Sequence, residues 1–133
     1  MEKPYHILVL EDEPLLRGIL ALLLSTNGYQ VLTAGSIEDG EIVVRAMGWK
    51  WVDLVLTDAN LSRDPGVLDG YLFHARWRAC YPVPPFVFMR GCPSGFPPGP
   101  RVRLSGQDNC RVRHIPKPFR PDELLRLIRA VLA

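Results

Sequence analysis

The run Tyr5-His6-Ile7-Leu8-Val9-Leu10 is apolar and stops at the acidic cluster Glu11-Asp12-Glu13, and this abrupt change constrains the fold more than any other feature of the chain. A strand with apolar side chains at consecutive positions is buried on both faces, as in a parallel sheet covered by helices on each side. Pro14 suits the first turn of a helix, where its missing N–H costs nothing. Leu15, Leu16, Ile19, Leu20, Leu23 and Leu24 then recur at helical spacing, and Asn27-Gly28 supplies the stop.

The same alternation repeats downstream. Residues 29–34 read as a second strand, and Ser36-Ile37-Glu38-Asp39 resembles a capping box opening a helix that carries Ile42, Val43, Ala46 and Met47 and ends at Gly48. Residues 51–57 read as a third strand running directly into Asp58. A loop through Pro65-Gly66 leads to a helix over residues 69–79. Residues 86–89 and 112–115 form the fourth and fifth strands, and residues 120–132 a last helix with Leu124, Leu127, Ile128 and Val131 on one face. Such alternation implies a parallel sheet with helices on both sides. The helix due between the fourth and fifth strands is the exception. Residues 82–100 hold seven prolines and three glycines, which remove amide donors and penalise a helix at successive positions, so residues 91–110 are expected to be mostly loop.

With 133 residues the chain is long enough for one domain and too short for two ordinary ones. No apolar run reaches the roughly 18 residues of a membrane span, and the start Met1-Glu2-Lys3-Pro4 lacks the layout of a secretion signal, so a cytoplasmic location away from the membrane is expected. Cys80, Cys92 and Cys110 lie 12 and 18 residues apart, without the close pairing of zinc sites or small disulfide frameworks, and read as reduced thiols. The net charge of +2 divides unevenly. Residues 1–75 hold 5 Lys/Arg against 11 Asp/Glu, and residues 76–133 hold 11 against 3. The arginines of the second half follow no recognition-helix or zinc-finger pattern, so a face for an acidic protein partner, or plain solvation, is expected rather than direct contact with nucleic acid.

In an open parallel sheet, ligands bind beyond the carboxyl ends of the strands. Strand one ends at Glu11-Asp12, strand three at Asp58, and strand five just before Lys117. Each has a bland reading alone: acids before a helix favour its dipole, an Asp after a strand forms turns, and a Lys is usually solvated. Converging on one crevice, two carboxylate segments offer oxygen ligands to Mg²⁺. Asp58 could then act as a carboxylate nucleophile toward a phosphoryl donor, with Lys117 as a cationic anchor. Two other classes fit the chain less well. A small phosphate-ester hydrolase acting through Asp58 would commonly place a second acid where this chain has Asn60. A metal site of His6, His74 and His114 with the cysteines lacks any helical i, i+4 pair.

Leu10-Glu11-Asp12-Glu13-Pro14, the stretch from Asp53 through Asp58-Ala59-Asn60-Leu61, Asp69-Gly70 and Pro116-Lys117-Pro118-Phe119 resemble the signatures of response regulator receiver domains, over nearly the whole chain. The resemblance implies a flavodoxin-like (βα)5 doubly wound sandwich, with a five-stranded parallel sheet in the order 2-1-3-4-5, as a single domain over residues 1–133. It implies that Glu11, Asp12, Asp58 and the Asn60 backbone carbonyl hold Mg²⁺ or Mn²⁺, that Asp58 is phosphorylated, that Lys117 contacts the phosphoryl group, and that the Lys117-Pro118 bond is cis. It also implies a two-component phosphorelay in which a sensor histidine kinase or phosphotransfer protein supplies phosphate. Apart from self-phosphorylation and autodephosphorylation, no enzymatic activity is expected. Because the chain ends just after the last helix, a stand-alone receiver signalling to a downstream protein target is expected, with a homodimer left open.

Two switch positions depart from the family pattern. Receivers usually place Thr or Ser at the end of strand four, where this chain has Arg90, and Tyr or Phe on strand five, where it has His114. Pro85-Phe86-Val87-Phe88 followed by Gly91 also resembles an atypical receiver subgroup with a Phe-Ala-Thr-Gly segment and a reduced or disordered fourth helix. The alternative is a pseudo-receiver: an interaction module without phosphotransfer, in which Arg90 pairs with Asp58 or with the neighbouring acids.

Overall fold

A computed structural model describes residues 4–61, 69–91 and 111–133. The elements follow in the order β1 (His6–Leu10), α1 (Pro14–Thr26), β2 (Gln30–Ala34), α2 (Ile37–Met47), a 3-10 turn (Trp49–Trp51), β3 (Leu54–Asp58), α3 (Asp69–Cys80), β4 (Phe86–Gly91), β5 (Val112–Lys117) and α4 (Pro121–Leu132). The strands form one parallel sheet in the order β2-β1-β3-β4-β5, the doubly wound arrangement expected of the flavodoxin-like fold. The expected loops over 91–110 and through Pro65-Gly66 lie outside the described residues, apart from Gly91, which ends β4. So do Cys92 and Cys110. Among the described residues, no helix is long and apolar enough to cross a membrane.

Because successive strand residues point to opposite faces, the apolar runs feed two cores. Leu8, Leu10, Val55, Phe86 and Phe88 face α2 and α3, where Val44, Phe73 and Trp77 meet them. Ile7, Val9, Leu54, Leu56, Val87 and Met89 face α1 and α4, against Leu20, Leu24, Leu124 and Ile128. Most of these residues are fully buried, and each contributes about 1.5–3 kcal/mol of transfer free energy before entropy is counted. β1, β3 and β4 are therefore held from both sides, and their carboxyl ends form a firm platform.

The caps account for several boundaries. The carboxylate of Glu13 accepts from the Leu15 and Leu16 amides at 3.2 and 2.7 Å, with Pro14 in the first turn of α1. Ser36 caps α2 through the Asp39 amide at 3.1 Å. Gly48, at φ 87°, ends that helix in the left-handed region. The third strand is shorter than residues 51–57. Trp49–Trp51 take a 3-10 turn, and the Asp53 carboxylate leaves the strand pattern to accept from the His6 amide at 2.8 Å. That bond fixes the entry of β1, and the Trp51 ring stacks on His6 at 4.2 Å beside it.

Candidate functional site

Glu11 follows the last residue of β1, Asp58 ends β3 and Lys117 ends β5, so the sheet order brings all three to one edge. Asp58 is buried; its Oδ2 accepts from Lys117 Nζ at 2.8 Å and its Oδ1 from the Asn60 amide at 3.0 Å. Lys117 Nζ also reaches Glu11 Oε2 at 3.3 Å, so a single ammonium serves two carboxylates. Carboxylate oxygens of Glu11, Asp12 and Asp58 all lie within 4.8 Å of one another. The peptide bond between Lys117 and Pro118 is cis.

The surrounding backbone is tied down as firmly. The Glu11 amide donates to the Ala34 carbonyl at 3.0 Å, and Arg17 Nη1 donates to the Glu11 carbonyl at 3.1 Å. The Ala59 amide donates to the Met89 carbonyl at 2.9 Å, and the Gly70 amide to the Ala59 carbonyl at 3.1 Å. Gly70 has a steric reason to be glycine. A Cβ there would collide with the Asp58 carbonyl oxygen and lie 3.0 Å from the Ala59 Cα. The first turn of α3 thus rests on the backbone that carries Asp58.

The electrostatics follow from this crowding. Burial, and then the negative charge of Asp58, push the Glu11 carboxyl up from 4.5 to about 7, against the opposing pull of Lys117. Burial works against the Lys117 ammonium as well. The hydrogen bond and charge of Asp58, with those of Glu11, outweigh it and hold Lys117 above its ordinary 10.5. Among the described residues Lys117 is shared by Glu11 and Asp58, and the hard oxygen donors of Glu11, Asp12 and Asp58 suit a divalent cation such as Mg²⁺.

The structure brings Glu11, Asp12, Asp58, Asn60 and Lys117 together and gives Glu13 another task, capping α1. Arg90, at the end of β4, is half-buried. Among the described residues it forms no ion pair with Asp58 or Glu11, whose cation is Lys117. Its charge instead acts on Tyr71, whose phenol is raised above 10.0 by burial and drawn back by Arg90. His114 lies over Phe88 with ring centroids 5.5 Å apart, and its Nε2 is 2.9 Å from the Tyr71 hydroxyl. Tyr71 thus links both atypical switch positions to α3. Nothing in its sequence neighbourhood marks it, since one aromatic in a helix carries no signal of a partner 43 residues away.

A doubly wound parallel sheet with paired acids, an Asp and a Lys at the ends of β1, β3 and β5 defines the receiver class of signalling domain. Comparison with known proteins agrees: the family described as response regulator receiver domain matches residues 7–92, and the chain belongs to that family. It is 30% identical over 129 residues to the phosphate regulon transcriptional regulatory protein PhoB of Escherichia coli K12, covering 96% of this chain and 51% of PhoB. It is 32% identical over 87 residues to the transcriptional regulatory protein GlrR of the same organism, covering 65% of this chain and 18% of GlrR. The chain therefore spans about half the length of PhoB and less of GlrR. Among solved structures, the receiver domain of the hybrid histidine kinase CckA matches with a TM-score of 0.72 and 25% identity, over 96% of this chain and 99% of that one. The chemotaxis protein CheY4 of Vibrio cholerae matches with a TM-score of 0.74 and 21% identity, over 98% and 100%, a likeness of fold.

Proposed function

We propose that residues 1–133 act as a single receiver domain in which Asp58 accepts a phosphoryl group from a sensor histidine kinase or phosphotransfer protein, and that the phosphorylated chain signals by contact with a downstream protein. The observation that carries this reading is the buried Asp58 carboxylate, 2.8 Å from Lys117 and grouped with Glu11 and Asp12. A carboxylate oxygen of Asp58 attacks the phosphorus, the bond to the donor breaks, and the donor keeps the electron pair. Lys117 then turns from the carboxylate to the transferred group, whose added charge exceeds that of Asp58 alone. The Asn60 amide, 3.0 Å from Oδ1, orients the carboxylate during attack.

Glu11, Asp12, Asp58 and the Asn60 backbone carbonyl would hold Mg²⁺ or Mn²⁺, which supplies positive charge against that developing on the phosphoryl oxygens. Chemistry at the site is limited to self-phosphorylation and autodephosphorylation. A cytoplasmic location fits a domain that meets a kinase. PhoB and GlrR are transcriptional regulatory proteins of which this chain spans only part. These 133 residues make no direct nucleic-acid contact in this reading.

The test is phosphorylation by acetyl phosphate with Mg²⁺, read by intact mass. One phosphoryl group is expected on the parent and none on Asp58→Asn. An adduct retained by the variant would refute the assignment of Asp58, and an unmodified parent would favour the pseudo-receiver alternative.

A further inference from the structure

A second concave site lies between α2 and α3, where nothing in the phosphoacceptor chemistry calls for one. Val44, Phe73 and Trp77 line it and are buried, and Tyr81 adds a ring that stacks on Trp49 with centroids 6.1 Å apart. The cleft holds about 170 Å³. An apolar cavity of roughly 150 Å³ accommodates one benzene ring, whereas small-molecule sites are on the order of 300–1,000 Å³. Its size is that of one aromatic side chain.

The rim determines what such a side chain should carry beside it. Glu41 is shared by Arg76, whose Nη1 is 2.6 Å from its Oε1, and Arg45, whose Nη2 is 4.0 Å from its Oε2. The Arg76 and Arg45 side chains remain 51% and 74% exposed, and each reaches Glu41 through one nitrogen of a group with five N–H donors. Two cations against one anion leave the rim positive and rich in donors. We propose that this cleft is an anchor pocket for an aromatic side chain flanked by carboxylates on a partner protein. The ring enters between the helices, and the flanking carboxylates take the guanidinium donors that Glu41 leaves over. Cys80 lines the same cleft and lies ten residues beyond Gly70, roughly 15 Å along the helix axis. The pocket shares no residue with the acidic site.

The probe is the blocked tripeptide acetyl-Glu-Phe-Glu-amide, titrated into the ¹⁵N-labelled full chain while amide shifts are followed. Saturable shifts are expected at Glu41, Arg76 and Cys80, with a Kd on the order of millimolar, together with slower alkylation of the exposed Cys80 thiol. Arg76→Gln should weaken binding about tenfold, the loss of one charge-assisted contact. Glu41→Gln, which removes the internal competitor, should strengthen it several-fold; these side chains are on the rim, so both variants keep the fold. Replacing Phe by Ala in the tripeptide should abolish the shifts. The proposal is overturned if no saturable shift appears at those residues, if the Ala tripeptide binds equally, if Glu41→Gln weakens binding, or if phenylacetate binds as tightly as the tripeptide. The last result would assign the cleft to a free aromatic acid.

Discussion

Glu11→Gln offers the sharpest test of the electrostatic account, because the expected change is a gain of stability that depends on pH. In the chelated, metal-free protein Glu11 keeps its proton up to about pH 7, whereas in the unfolded chain it titrates near 4.5. Between those values the folded state binds more protons than the unfolded state, so stability falls as pH rises and levels off above about 7. At roughly 1.4 kcal/mol per pH unit, the interval from 4.5 to about 7 corresponds to about 3 kcal/mol. Glutamine has nearly the same shape and no charge to desolvate or to set against Asp58. The variant should therefore match the parent near pH 4.5 and exceed it by about 2–3 kcal/mol near pH 8. Urea unfolding followed by tryptophan fluorescence measures this directly. Mg²⁺ should restore parent stability by binding linkage, about 2.7 kcal/mol at a hundredfold excess over Kd, and should restore less in the variant. Parallel pH profiles for the two proteins, or a variant weaker than the parent near pH 8, would show that burial and Asp58 do not govern Glu11.

Gly70→Ala should destabilise the chain by about 1–3 kcal/mol, since its Cβ meets backbone rather than a movable side chain; an unchanged urea midpoint would contradict this. Arg90→Thr should raise the Tyr71 pKa further, because the charge that opposes burial is removed. A titration of the tyrosine Cζ resonances reads this, and an unmoved Tyr71 would place the guanidinium elsewhere.

The apolar runs made the sheet legible, because a central parallel strand has little choice but to be apolar on both faces. Glu11, Asp58 and Lys117 were legible for a related reason: strand ends in such a sheet share an edge whatever their separation along the chain. Strand length was less so. Trp51 and Val52 are as apolar as a strand requires, and it is the 3-10 turn over Trp49–Trp51, with the hydrogen bond from the His6 amide to Asp53, that makes β3 begin later. The identity of the cation holding Asp58 also needed coordinates. Arg90 and Lys117 are both cations late in their strands, and the distances to Lys117 decide between them. Tyr71 depended on tertiary packing entirely, as did the cleft between α2 and α3.

The contact between Gly70 and the Asp58 backbone carries a mechanical consequence. Most junctions between a helix and a sheet are cushioned by side chains that change rotamer when one element shifts. Here the helix is seated on the peptide group itself, with the Gly70 amide bound to the Ala59 carbonyl and no room for a Cβ. Such a joint has less compliance than one cushioned by side chains. Any displacement of the peptide after Asp58 must be taken up by tilting or sliding α3 as a rod, and its far end at Cys80 moves with it.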